Sequence, residues 1–372
     1  GIGRARCDWS GSGVMGETLR TLLVGVGARG KIWTRLLAAE SQTETVGYVD
    51  VNPDNLNWAI EHFGATPAIC FGTLATALEQ TRPDLVLLAT PPMDRFGETE
   101  QVFAAGAHLL SEKPLTLDFD EGVRIVEAAE ANGLAFAVGL NFRYQHCVRR
   151  AKEIFAAGEI GTPSFSQYVY WRNRDGRRPG LNRFPLTMRQ PMLYEQTIHH
   201  VDEIRFVYGR DVRRVWCRCH NPPWSMYRDD ATVVATLELD DDLIVNYFGT
   251  WSGQTKINDF LWRTDCDGGA LAQFDLFADL RIARGAGADE FQSIPLPAQE
   301  PLVDDARLML ADVARQILAG NRRPHPSGVD HLKTFGIIAA MEESNRTGQP
   351  VELATFFAQH HVPRSWLELP AN

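Results

Sequence analysis

At 372 residues the chain exceeds what one hydrophobic core normally supports, and two domains are expected. A hydrophobic content of 44% supplies a sizeable core, while the net charge of −10 speaks against a nucleic-acid partner, which needs a basic face. No apolar run reaches the ~20 residues needed to cross a bilayer, so no membrane partner is expected.

Residues 1–14 are rich in Gly and Ser, lack the apolar stretch of a signal peptide and precede Met15; they read as a leader or a vector-derived segment. The short apolar run Thr21–Gly25 fits a buried strand and leads into Gly25-Val26-Gly27-Ala28-Arg29-Gly30, followed by the helical-looking segment from Lys31. In that strand–turn–helix setting the first glycine permits a tight turn, the second lets a pyrophosphate approach the backbone, and the third allows close helix–strand packing. The phosphates would sit on the helix N-terminus, where free N–H groups and the dipole favour anions. A second strand ends at Asp50, about 20 residues beyond the last glycine, where a carboxylate accepts hydrogen bonds from both ribose hydroxyls and repels a 2′-phosphate. NAD is therefore favoured over NADP; a strand-end Asp opening the turn before Asn52-Pro53 is the other reading.

Strand and helix go on alternating. Strands are expected at 68–71, 84–90, 108–112 and 134–139, and helices near 73–80, 97–106 and 119–131. Such β-α repeats imply a parallel, doubly wound sheet that binds ligands at the C-terminal ends of its strands, where Gly27, Thr90-Pro91, Glu112-Lys113 and Asn141 fall. After residue 163 the pattern changes to alternating strands over 164–171, 212–220, 231–239, 243–251 and 260–266, with helices at 147–158, 192–208, 304–319 and 329–347. The fold class is thus α/β: an N-terminal Rossmann domain (19–140) and a C-terminal α+β domain (141–372) with a large, mostly antiparallel open sheet. Of six cysteines only Cys217 and Cys219 cluster, on one face of a strand and without C-x₂₋₄-C spacing, so no metal is expected. Free thiols suit a reducing, cytoplasmic setting.

Read as helix, Glu195, His199 and Asp202 are spaced i, i+4, i+7 and share one face, an arrangement in which an acid fixes an imidazole's tautomer while its other nitrogen handles a proton. His200, beside it, points about 100° away. That divergence argues against a metal hydrolase built on both histidines.

Four stretches together resemble the glucose–fructose oxidoreductase / inositol dehydrogenase (Gfo/Idh/MocA) family: Gly25-x-Gly27-x-x-Gly30, the run Ala105 to Pro114 ending in Glu112-Lys113-Pro114, Gly139-Leu140-Asn141-Phe142-Arg143, and Glu195…His199…Asp202. The helix from Arg150 to Pro163 also looks like the family's first C-terminal-domain helix, and the resemblance spans about residues 19–350. It implies a cofactor site of Gly25, Gly27, Ala28, Arg29, Gly30, Asp50, Thr90, Pro91, Glu112, Lys113 and Asn141, with Glu112 reaching the nicotinamide ribose. It implies that Lys113 stabilises a developing alkoxide, that His199 is the base and that Glu195 joins them in catalysis. Substrate contacts are expected from Arg143, Trp171, Arg172, Glu195 and His199, and pairing of copies through the open face of the second sheet. The chain departs from the family's D-x-G-x-H-x-x-D signature, with Glu195 for Asp and Thr197 for Gly; Pro92 and Arg95 also replace the usual Asn and His.

The segment 171–189 holds Arg172, Arg174, Arg177, Arg178, Arg183 and Arg189 with Asp175 as its only acid. Recognition of an anionic or heavily hydroxylated substrate and a solvated loop or inter-subunit arm are equal readings. The function expected is NAD-dependent oxidation of a secondary hydroxyl of a sugar, polyol or sugar derivative. Two alternatives are an NAD-retaining enzyme that releases a glycosidic group by transient oxidation and elimination, and a non-catalytic dinucleotide sensor.

Overall fold

The computed structural model describes residues 18–369; the expected leader lies outside them. The first unit alternates β1 (Leu19–Val24), α1 (Ala28–Ala39), β2 (Thr43–Val49), α2 (Pro53–Phe63), β3 (Cys70–Phe71), α3 (Leu74–Thr81), β4 (Leu85–Leu88), α4 (Arg95–Ala104), β5 (His108–Ser111), α5 (Phe119–Asn132) and β6 (Phe136–Val138). Its six strands are all parallel in the order β3-β2-β1-β4-β5-β6. The order reverses at β1, so the crevice opens over the glycine loop.

Continuous apolar runs are what a sheet covered on both faces demands, and all four residues of β4 are buried. Alternate residues serve opposite cores. Leu23, Leu85 and Leu87 pack with Trp33 and Leu36 of α1, while Leu22, Val86 and Leu88 join the core that runs on into the second unit.

That second unit follows with α6 (His146–Ala156), β7 (Pro163–Trp171), a π-helical turn (Met192–Thr197), α7 (Ile198–Tyr208), β8 (Val212–His220), β9 (Thr232–Leu239), β10 (Ile244–Thr250), β11 (Asp259–Cys266), β12 (Gly269–Asp275), β13 (Ala278–Arg284), β14 (Gln292–Ser293), α8 (Asp304–Leu318), α9 (Gly328–Thr347), β15 (Val351–Glu352), α10 (Leu353–Gln359) and α11 (Arg364–Leu367). The nine strands run β14-β13-β12-β11-β7-β10-β9-β8-β15, and the one parallel pairing is β7 with β10. One sheet face packs Tyr168, Val215, Leu237, Val245 and Tyr247 against the helices. The other leaves Phe165, Trp171, Trp216, Val234 and Ile244 exposed.

Two details depart from the sequence pattern. The segment from Met192 opens as π-helix before continuing as α7, a local widening that hydrophobic periodicity does not report. Helix α8, far along the chain, sends Ala306, Met309, Leu310, Val313, Ala314 and Ile317 into the core of the first unit beside Leu19 and Trp33.

Candidate active site

A cleft of about 1300 Å³ runs from the glycine loop across the end of the first sheet to the start of α7 and the loop after β7. Its floor is set by the glycines. Gly25 has φ +87°, and a Cβ there would stand 2.9 Å from the Ala89 carbonyl carbon; one on Gly30 would meet the Gly25 oxygen at 1.9 Å. A Cβ on Gly27, by contrast, would meet nothing within 4 Å. Gly27 is also the N-cap of α1 and offers no side-chain hydrogen bond, so the first-turn amides are free for an anion.

Asp50 closes this end: its Oδ2 accepts from the Val26 amide at 2.7 Å and from Asn55 at 3.0 Å, and Oδ1 from the Asn52 amide at 2.8 Å. A carboxylate has about four acceptor sites, so capacity for a ribose hydroxyl remains. These features fit a dinucleotide. Gly25, Gly27, Ala28, Arg29, Asp50, Thr90, Pro91, Glu112, Lys113 and Asn141 all line the cleft, whereas Gly30 lies beneath the loop and supports it.

Glu112 is buried, and its Oε1 accepts from Arg29 Nε at 2.5 Å and Trp33 Nε1 at 2.8 Å. Burial pushes its carboxyl up, but the Arg29 guanidinium, Lys113 and Trp33 outweigh it and hold the group below the usual carboxylate range. One oxygen is thus spent on the protein and Oε2 is left for a ligand. Asn141 donates to Asp305 Oδ2 at 2.8 Å, and burial raises the Asp305 carboxyl to about 6. Beneath Thr90, Arg95 is wholly buried and donates to Ser111 Oγ and the Thr90 carbonyl, both at 2.5 Å. It braces the strand ends and does not line the cleft.

On the facing wall, Lys113 Nζ donates to Glu195 Oε2 at 2.9 Å and to the Glu195 carbonyl at 3.0 Å. The π turn presents both acceptors to one ammonium. His199 stacks on Phe142, ring centroids 4.1 Å apart at 14°. Its Nδ1 is buried without a hydrogen bond. Burial first, then the charges of Lys113 and its neighbours, hold the imidazole well below its ordinary pKa, so it is neutral near pH 7.

Three expectations fail here. Asp202 does not orient His199; it accepts two bonds from Arg143, at 2.6 and 2.5 Å, and one from Thr334 at 2.8 Å. Arg143 is not a substrate residue: it is 1% exposed and pairs also with Asp330 at 2.6 Å. A buried guanidinium needs carboxylates around it, and two are supplied beneath the cleft. Trp171 is not in the cleft either. The alternation of β7 sends Tyr170 to the helix-covered face and Trp171 to the open one, where it stacks on Phe248 at 4.8 Å. Arg172 does line the cleft, as do Glu195 and His199. His200 turns into the sheet, its Nδ1 2.8 Å from the Tyr247 hydroxyl.

Residues 19–140 match the oxidoreductase family with an NAD-binding Rossmann fold (Gfo/Idh/MocA), and residues 148–271 match the C-terminal domain of the same family. The chain belongs to the Gfo/Idh/MocA family. It is an NAD-dependent dehydrogenase of that group. An uncharacterized protein, y4oX, from Sinorhizobium fredii is 24% identical over 94% of this chain and 99% of its own length. D-apiose dehydrogenase from Paraburkholderia graminis is 26% identical over 85% of this chain and 84% of that protein. Among solved structures, an oxidoreductase from Agrobacterium radiobacter in complex with NAD+, L-tartaric acid and magnesium superposes with a TM-score of 0.82 at 18% identity, covering 91% of this chain and 99% of its own.

Against the family's motifs, sequence reasoning passed over Trp33 and Asp305. Trp33 is two positions beyond Lys31 on α1, and only its indole N–H, aimed at Glu112, marks it out. Asp305 lies 164 residues from Asn141, in the first turn of a helix that reads as ordinary packing. Tyr170 lines the cleft too and was passed over for its neighbour Trp171, although the alternation of β7 puts the two on opposite faces.

Proposed function

We propose that the protein oxidises a secondary hydroxyl of a sugar, polyol or sugar derivative, with Lys113, His199 and Glu195 managing the proton. The observation that carries this is the meeting of Lys113 with Glu195 and His199 in the same cleft as the glycine loop. NAD, when bound, accepts the hydride.

Of the three N–H bonds of Lys113, two are committed to Glu195, which aims the third at a ligand in the cleft. There it donates to the reacting hydroxyl oxygen and stabilises charge as it develops. His199 is neutral, and since Nδ1 is walled in, Nε2 is the nitrogen that takes the hydroxyl proton. The stacked Phe142 ring fixes the imidazole plane in place of an orienting acid. Glu195 thus serves Lys113 where the family's Asp is usual. The relative named D-apiose dehydrogenase supports a sugar-like substrate.

The open sheet face, with Phe165, Trp171 and Trp216 exposed, supports pairing of two copies there. Five free cysteines among the described residues suit a reducing, cytoplasmic setting. Among the described residues no helix is long and apolar enough to cross a membrane.

NADH formation across a panel of sugars and polyols tests the reading. On any substrate found, Lys113→Ala and His199→Ala should each lower kcat about 10²- to 10⁴-fold with unfolding midpoints kept. Full turnover by either variant removes that residue from the mechanism.

A further inference from the structure

The segment after β7 folds back onto the sheet. A Cβ on Gly176 would stand 2.9 Å from Leu186 and 3.0 Å from the Tyr227 hydroxyl, so the chain is anchored by packing at that point, while residues 177–180 beyond it are exposed. It brings Arg172, Arg174 and Arg178 into the wall of the cleft, with Lys256 beside them. None of the four pairs with a carboxylate among the described residues, in a chain with 47 acidic and 37 basic residues. The one acid of the segment, Asp175, turns its Oδ1 to the Arg177 amide at 2.9 Å.

Two of these cations are held on aromatic beds. The Arg174 guanidinium lies 4.2 Å from the Trp251 ring centroid, and its Nη1 donates to the Tyr227 hydroxyl at 3.0 Å. Tyr227 in turn donates to the Arg174 carbonyl at 3.0 Å. Arg172 sits 5.1 Å over Tyr170, whose hydroxyl reaches Gln196, the neighbour of Glu195, at 3.5 Å. Ring stacking restrains a guanidinium but leaves its in-plane donors unspent, which is how a site preorganised for an anion is made. The cofactor's phosphates are already provided for by the glycine loop on the other wall, so this donor set faces something else.

We propose that the substrate is an anionic sugar derivative, its carboxylate or phosphate gripped by Arg172 and Arg174 while its reacting hydroxyl lies against Lys113 and His199. Arg178 and Lys256 add attraction at the mouth of the cleft. The inference rests on the dehydrogenase reading above.

The test uses NAD-loaded enzyme and matched triplets of a neutral aldose, its uronate and its phosphate monoester. Binding is read as a ligand-induced rise in unfolding midpoint and turnover as NADH. One anionic member should bind roughly tenfold or more tightly than its neutral counterpart; the uronate or the phosphate, whichever leads, identifies the group. Arg172→Gln and Arg174→Gln should each collapse that preference toward parity. Arg177→Gln, on the same segment but outside the cleft, should keep it. Equal binding of neutral and anionic members, or a preference that survives both cleft variants, overturns the proposal. Anion-selective binding without NADH would sink the dehydrogenase reading and leave the anion site standing; NADH formed equally from all three members would do the reverse.

Discussion

Two groups of arginines lie on either side of the wall formed by Lys113, Glu195 and His199, and they differ in what surrounds them. Below it, Arg143 and Arg205 are each 1% exposed and are enclosed by Asp202, Asp211 and Asp330 at 2.5 to 3.0 Å. Lys333 adds a contact to Asp211 at 2.7 Å. Above it, Arg172 and Arg174 rest on rings, and neither forms an ion pair among the described residues although Asp175 lines the same cleft. The first group is complete in itself, and removing a member strands a buried charge. The second is incomplete without a ligand. Side-chain type therefore says little about role here, and the missing counter-ion says more.

Removing Arg143 should expose the contrast most sharply. Arg143→Ala leaves Asp202 buried without its guanidinium and Asp330 with Arg205 alone, and should cost about 3–5 kcal/mol, read by denaturant unfolding. Arg178→Ala, at the exposed rim, should stay within about 0.5 kcal/mol. Similar losses in both variants would erase the distinction.

Acid should loosen the lower group next. Burial, reinforced by Arg143, lowers His325 to about 3, and burial does the same to His331, whose two ring nitrogens have no partner. Burial likewise holds His108, His199 and His200 below their ordinary values. In the unfolded chain these rings take protons near pH 6.5 and in the folded one only at lower pH. Their contribution is therefore whole above pH 6.5 and lost as pH falls, by about 1.4 kcal/mol per unit for each group. The carboxyls of Glu203 and Asp305, raised by burial, work with the opposite sign but are outnumbered. Unfolding free energies at pH 7.5 and 5.5 should differ accordingly, and a flat profile would refute neutral burial of the histidines.

The gentlest probe is salt. Raising ionic strength from about 0.05 to 0.5 M should increase KM for an anionic substrate about three- to tenfold through screening at the half-exposed rim. The buried ion pairs, out of reach of the ions, should leave the unfolding midpoint nearly still. A KM indifferent to salt would place the rim outside recognition.

Arg143 also shows where reading the chain alone stops. The fold was legible because it rests on local signals: the spacing of Gly25, Gly27 and Gly30, the apolar run of β4, the change from helical to alternating periodicity after residue 163. So was the meeting of Lys113 with the Glu195–His199 stretch, carried by motif resemblance. The partnerships were not. Arg143 follows Asn141 in a motif beside the cleft, yet its carboxylates come from 59 residues away in one case and from α9 in the other. Whether Asp202 serves His199 or Arg143 depends on that long-range contact and not on helical spacing. The π turn at Met192–Thr197 was invisible for a related reason, since no residue pattern distinguishes one extra residue per turn in a buried helix start.

Helix α8 bears on how this enzyme can be taken apart. A fragment ending near residue 140 would contain every strand of the first sheet and still leave Leu19, Leu23, Trp33 and Leu85 uncovered, because Met309, Leu310 and Val313 that seal them lie far along the chain on α8. A chimera that borrows a relative's cofactor half would have to import the matching α8 as well. The two halves are laced by the chain itself, and recombination at the obvious boundary would cut the lace.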